Sequence, residues 1–341
     1  MTGIRALADR LNISIGTVSR ALNDKPGVNP ETRARVLKMA QEIGYVANAA
    51  GRNLRKGRTN TIGLMIGTGP TALGGDNFFM AVTDAMQRVL LEDGIDLVLL
   101  PVHRAMDPVA FLHRTLQRGL LDGVILTATQ VDDPRIALMA RSSLPFMTLG
   151  RSRTPGKYLW MDLDFEEGAR HSVMRLAELG HRRIAVCVPT GNSNLAQLYC
   201  DSWRATMGAL GLPVTDDLSF VDDGSEDGGA RVAARLLAQE NRPTAILMCS
   251  EPMTSGFYGG LLGAGVRPGA DVSVVGFRQS PLLRHLAPPI TCFDMCLKTL
   301  GQDMASAILT LTYGAEGQAP PTSGLVAMDY VETPSVQAIK A

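Results

Sequence analysis

The order of segments predicts an α/β protein: a small three-helix head at the N-terminus, then a larger body in which strands and helices alternate. Three observations carry that expectation. Apolar residues between Ile4 and Ile43 recur at helical spacing in three bursts. After Arg58 the rhythm changes to short apolar runs bounded by Gly, Pro or Asp. The length of 341 residues gives room for two or three domains and a sizeable buried core.

The head reads as follows. Ile4, Leu7 and Leu11 mark a first helix, Ile15, Val18 and Leu22 a second, and Val36, Ala40 and Ile43 a third, each of about two turns. Only Asn12-Ile13-Ser14 separates the first two. Pro26-Gly27 breaks the chain before the third, which opens with Asn29 as N-cap and Pro30 at its first position. That layout is a helix-turn-helix with a supporting helix. The second helix turns Ile15, Gly16 and Arg20 outward while Val18 and Leu22 face the head's own core. An arginine so placed can take guanine with a bidentate contact in a major groove, and Thr17, Ser19, Asn23 and Lys25 can bond phosphates. The alternative is a plain packing module with a solvated basic face. Charge favours DNA: residues 1–58 hold eleven Lys and Arg against four acids, a net of +7, whereas the whole chain balances 33 against 33 and the remainder therefore carries −7.

In the body, the runs Thr61 to Ile66, Leu97 to Leu100, Val124 to Thr127, Ile184 to Val188, Ala245 to Cys249 and Ser273 to Phe277 read as buried parallel strands. Helical stretches such as Phe79 to Leu91, Glu166 to Leu179 and Ala230 to Gln239 lie between them. The number of runs predicts two doubly wound parallel sheets, with a ligand where the carboxyl ends of their strands face each other. Between head and body, residues 48–54 form a segment too short to persist as a helix alone, since isolated helices need ~12–15 residues.

Several classes are excluded. Five cysteines, Cys187 and Cys249 within apolar runs, fit free thiols in a reducing cytoplasm. No signal peptide or membrane span is visible, and Cys292 with Cys296 lacks further ligands at metal spacing, so neither metal nor cofactor is expected. Gly67-Thr68-Gly69-Pro70-Thr71-Ala72 matches a dinucleotide pattern, but Pro70 and Gly74-Gly75 interrupt the helix that should follow and no acid sits at the end of the second strand. With no nucleophile elbow or zinc-protease motif, no catalytic residue is assigned and an enzyme is not expected. His181, in a turn before a strand, reads as structural.

The runs Ile4-Arg5-Ala6-Leu7-Ala8, Thr17-Val18-Ser19-Arg20-Ala21-Leu22-Asn23, Thr32-Arg33-Ala34-Arg35-Val36 and Ile43-Gly44-Tyr45 with Asn48 resemble the head of the lactose/galactose-repressor family of bacterial transcription regulators. Similarity continues through Arg58 to Gly63, Leu179 to Ile184, Pro243-Thr244-Ala245, Val272 to Phe277 and Pro288 to Thr291, covering essentially the whole chain. The resemblance implies a homodimer on a palindromic operator, with Ser14, Ile15, Gly16, Thr17, Ser19, Arg20, Asn23, Tyr45, Asn48 and Arg52 on DNA-contacting positions. It implies a helix-turn-helix domain over 1–46, a hinge over 47–58 whose Leu54 wedges into the minor groove, and an effector-binding and dimerisation domain over 59–341. The body it implies is periplasmic-binding-protein-like, with one subdomain over about 59–158 and 291–316 and the other over about 159–290 and 317–341. Gly51 weakens the hinge helix by ~1 kcal/mol and makes it dependent on DNA.

By position, the effector cleft should include Phe78, Phe79, Arg151, Asp162, Tyr199, Trp203 and Arg278. Aromatic faces stack on sugar rings, and Asp or Arg take hydroxyls or carboxylates. Core packing is the favoured reading for Trp203 and an evenly balanced one for Phe78. The family commonly has Arg at Tyr199 and Asp at Arg278. A sugar or sugar derivative is expected, with Arg278 and Arg151 favouring an anionic one. The resulting expectation is a cytoplasmic repressor of a carbohydrate operon released by its effector. The alternatives are a regulator that requires its effector to bind DNA, or a free-standing solute receptor.

Overall fold

The computed structural model describes residues 4–22, 25–43, 45, 58–68, 78–103, 105–281, 283–315 and 317–339. It divides into two units, Met1–Thr59 and Asn60–Ala341.

In the first unit, α1 (Ile4–Leu11), α2 (Ile15–Leu22) and α3 (Pro30–Glu42) enclose a small core of Leu7, Leu11, Val18, Ala21, Val36 and Ala40. The turn between α1 and α2 needs one left-handed residue, and Asn12 supplies it at φ 54°. Ser14 caps α2, its hydroxyl accepting from the Thr17 N–H at 3.0 Å. Asn29 caps α3 by accepting from the Glu31 N–H at 2.8 Å, with Pro30 following as expected. At 13 residues α3 is longer than the two turns expected, because its outer positions are polar and only Val36 and Ala40 are buried. Leu22 is half-buried, and Ala21 takes the inner place beside Val18.

The second unit is built on two parallel sheets. The first contains β1 (Thr61–Thr68), β2 (Asp96–His103), β3 (Gly123–Leu126), β4 (Phe146–Leu149), β5 (Leu159–Leu163) and β11 (Gly324–Val326), in the order β11-β5-β4-β3-β1-β2. Alternation fixes its two faces. Ile62, Leu64 and Ile66 point to one core, under α4 (Phe78–Glu92) and α11 (Leu297–Tyr313), while Met65, Val124 and Leu126 join another under α5 (Pro108–Gln117) and α6 (Pro134–Met139). The second sheet holds β6 (Ile184–Pro189), β7 (Ser219–Asp222), β8 (Ala245–Met248) and β9 (Ser273–Val275), ordered β7-β6-β8-β9. It carries α7 (Phe165–Glu178), α8 (Asn194–Ala209), α9 (Glu226–Leu237) and α10 (Glu251–Gly263). A short antiparallel pair, β10 (Cys292–Asp294) with β12 (Asp329–Val331), lies where the chain passes between the sheets.

The expected crossing near Tyr158 needs correction. Leu159–Leu163 continues the first sheet, with Met147, Thr148 and Leu149 opposite Leu159, Trp160 and Met161, so the chain leaves that sheet only after Leu163. The tail is shared in the same way: β11 pairs with β5, whereas Ser335 exchanges backbone and side-chain bonds with Val274 of β9. The described part of the expected 317–341 segment, residues 317–339, therefore does not belong to one subdomain. His181 is structural, bonded through Nδ1 to Thr244 at 2.8 Å and through Nε2 to the Gln337 carbonyl at 3.0 Å. All five cysteines are free. Among the described residues no helix is long and apolar enough to cross a membrane.

Candidate functional sites: head surface and cleft

On the head, Ser14, Ile15, Gly16 and Arg20 are exposed along one side of α2, Ile15 at 43 %. Thr17 and Ser19 are half-buried, and the Thr17 hydroxyl is 2.9 Å from that of Ser14. Tyr45 packs half-buried against the head core, its N–H donating to the Ala40 carbonyl at 2.8 Å. Arg33 donates to the Lys25 carbonyl at 2.7 Å and orders the loop into α3. Asn23, Asn48, Arg52 and Leu54 lie outside the described residues, as does residue range 48–54 as a whole. The same holds for Gly69 to Ala72 of the dinucleotide-like run.

In the body, strand order reverses at β1/β3 of the first sheet and at β6/β8 of the second, and a cleft of about 210 Å³ opens beyond the carboxyl ends of both. Phe78 and Phe79 at the start of α4, Thr129 after β3, Asp162 at the end of β5, Ser193 before α8 and Arg278 after β9 supply its wall. Phe78 and Phe79 meet edge to face at 5.2 Å, and Phe165 stacks on Phe277 at 5.6 Å. The rest is largely aliphatic, with Leu149, Leu163 and Leu195. Four of the seven expected residues, Phe78, Phe79, Asp162 and Arg278, are thus brought together.

The other three are placed differently. Arg151 stands behind Asp162, its Nε 3.0 Å from the Asp162 Oδ2 and its Nη2 2.6 Å from the Glu166 Oε2. Burial, the largest influence on Asp162, raises its pKa despite the Arg151 bond; on Arg151 burial opposes the charge, but the two carboxylates outweigh it and raise its pKa. Tyr199 and Trp203 are each 1 % exposed and belong to the core, not the cleft. Ala196, Tyr199, Trp203 and Met207 follow helical spacing along the buried face of α8, so that face is turned to the second sheet, and the Trp203 indole N–H donates to the Ile184 carbonyl at 3.2 Å.

Sequence reasoning also missed Thr129, Ser193, Glu166 and Glu251. Thr129 and Ser193 follow strands that were legible as apolar runs, so the rule that sites lie after strand ends could have found them. Nothing local marks Glu251, which reaches Arg278 from a separate helix with its Oε2 2.7 Å from Nη2. Both guanidiniums on which the expectation of an anionic ligand rested are thus paired with carboxylates of the protein itself.

A strap ties the two sides of the cleft. The Val131 N–H donates to the Asn192 carbonyl and the Asn194 N–H to the Thr129 carbonyl, each at 3.0 Å. The Asn194 carboxamide N–H donates to the Arg151 carbonyl at 2.8 Å.

A helix-turn-helix head joined to a two-sheet body with a ligand-sized cleft defines a DNA-binding regulator that carries a small-molecule sensor. Comparison with known proteins agrees. Residues 4–48 match the model for bacterial regulatory proteins of the lacI family, and residues 173–332 that for a periplasmic binding protein-like domain. The HTH-type transcriptional regulator AglR of Rhizobium meliloti is 31 % identical over 313 residues, 90 % of this chain and 86 % of that protein. A structure of the transcriptional regulator CelR in complex with cellobiose superposes with a TM-score of 0.73 at 25 % identity, covering 98 % of this chain and 100 % of the other. The Lac repressor dimer bound to operator and the anti-inducer ONPF shares the fold, with a TM-score of 0.84 at 24 % identity over 97 % and 98 % of the two chains. The chain belongs to the lacI family of bacterial regulatory proteins and is a DNA-binding transcriptional regulator.

Proposed function

We propose that this regulator is a cytoplasmic repressor that binds a palindromic operator as a homodimer and is released by an uncharged sugar. The cleft between the facing strand ends carries the reading: its aromatic and aliphatic wall suits the carbon face of a sugar ring, and Asp162, Thr129 and Ser193 suit hydroxyls. Cellobiose in the CelR complex supports a carbohydrate in this body. Ser14, Ile15, Gly16, Thr17, Ser19 and Arg20, with Asn23 and Tyr45, are the proposed operator contacts of residues 1–46. Asn48, Arg52 and Leu54 act in the linker over 47–58, and residues from 59 onward sense the effector. Dimerisation follows from the need to span two half-sites, and Met80, Leu91 and Val98, exposed at 54 %, 60 % and 40 % along α4 and β2, offer apolar surface for it. This reading gives the cleft a binding role and no catalytic step.

The head is tested by salt. Anisotropy of a labelled fragment from upstream of the protein's own gene should show binding that weakens by about 10³ to 10⁵ between 50 and 200 mM salt. A flat response would contradict the assignment of the basic head to phosphates.

A further inference from the structure

We propose that Glu251 sets the charge of the ligand that the cleft admits, by holding Arg278 as half of a neutral pair. The inference rests on the reading of the body as an effector sensor and names what that sensor rejects. Arg278 is part of the cleft wall, 2 % exposed, with its Cζ 5.8 Å from the Phe78 ring centroid. Glu251, also 2 % exposed, is the first residue of α10 and stands behind that wall, touching Arg278 and not lining the cleft. A guanidinium in a cleft ordinarily attracts a carboxylate or phosphate from the ligand. Here the place of that counter-ion is taken by the protein, and a second anion brought to Arg278 meets the Glu251 carboxylate close by, in a site with little water to screen the repulsion. Asp162 and Glu166 both pair with Arg151, so the two ion-paired groups at and behind the wall together hold two guanidiniums and three carboxylates among the described residues. Hydroxyl groups meet no such opposition. Glu251 is therefore a positioning residue that makes the cleft selective for neutral ligands while Arg278 forms its surface.

The test compares the full-length protein with Glu251→Gln, which keeps the shape and removes the charge. The probes are the matched pairs D-glucose with D-glucuronate and D-galactose with D-galacturonate, measured by titration calorimetry, and acetate, measured by thermal melting. The wild type should bind the neutral member of any pair it accepts at least about tenfold tighter. In Glu251→Gln that ratio should move at least about tenfold toward the acid, and acetate should raise the melting temperature of this variant alone. A wild type that prefers the acid overturns the proposal, as does an unchanged ratio in folded Glu251→Gln. If the variant does not fold, the wild-type ratio decides. If no sugar binds either protein, the sugar reading fails, and acetate decides the charge reading: a shift confined to Glu251→Gln supports it, and an equal shift in both proteins overturns it.

Discussion

Arg20 and His181 show how single side chains divide the work. Arg20 has no part in the head core and is exposed on α2, so its substitution tests recognition without disturbing the fold. Arg20→Ala should weaken operator binding by about 1–3 kcal/mol and leave thermal stability unchanged, as read by anisotropy and melting; equal losses on operator and random DNA would make it a phosphate contact. His181 is the opposite case. Burial, partly offset by the Gln337 carbonyl, lowers its pKa below the usual 6.5, so between the folded and unfolded values the unfolded chain binds more protons. Stability from this site is full above about 6.5 and falls as the pH drops below it. The melting temperature should decline on acidification from pH 7 toward 5.5, and His181→Gln should flatten that slope; an unchanged slope would assign it to other groups. His181 was legible in the sequence as a structural turn residue. The misplacement of Tyr199 has a physical cause: a helix beside a cleft has one face toward ligand and one toward the sheet, and a resemblance by position does not fix which face a substituted residue takes, whereas the core packing favoured for Trp203 is what the structure shows.

At the level of elements, the apolar runs located β1, β3, β6, β8 and β9 because parallel strands buried on both faces leave an unbroken apolar signature. β5 was not legible. Its Trp160 and Asp162 interrupt the run, and only the register against β4 assigns it to the first sheet. Helix packing was equally hidden. α9 and α10 approach so closely that a Cβ on Gly229 would fall 2.0 Å from the Met253 carbonyl oxygen, and one on Gly256 1.8 Å from that of Glu226. Gly256→Ala should therefore cost about 1–3 kcal/mol or more by forcing the helices apart, despite its better helix propensity, and denaturant unfolding would show it. A neutral or stabilising result would mean that the crossing is slack. The strap at the cleft rim is set by two backbone bonds and one carboxamide. Asn194→Leu, losing the bond to the Arg151 carbonyl, should open it by roughly 1 kcal/mol, seen as about fivefold faster hydrogen exchange at Val131 with the β6 amides unaffected.

For the molecule as a whole, head and body were separable in the sequence because charge and periodicity change together near Arg58, and the structure divides at Thr59. The cleft was half legible: strand ends located it and Asp162 of β5 was expected, but the further carboxylates that pair with Arg151 and Arg278 come from α7 and α10, whose contacts no local pattern encodes. Coupling the two units requires only that effector favour one body conformation by ~1–3 kcal/mol. In the proposed function, occupancy of this cleft governs the head's hold on DNA. Fluorescence anisotropy of the full chain on a labelled fragment from upstream of its own gene, titrated with neutral mono- and disaccharides including cellobiose, tests it directly. Binding should be tight in the absence of sugar and be released by one neutral sugar, and Asp162→Asn should abolish release while leaving DNA binding intact. Tight binding that no sugar alters, or release that persists in Asp162→Asn, would contradict it.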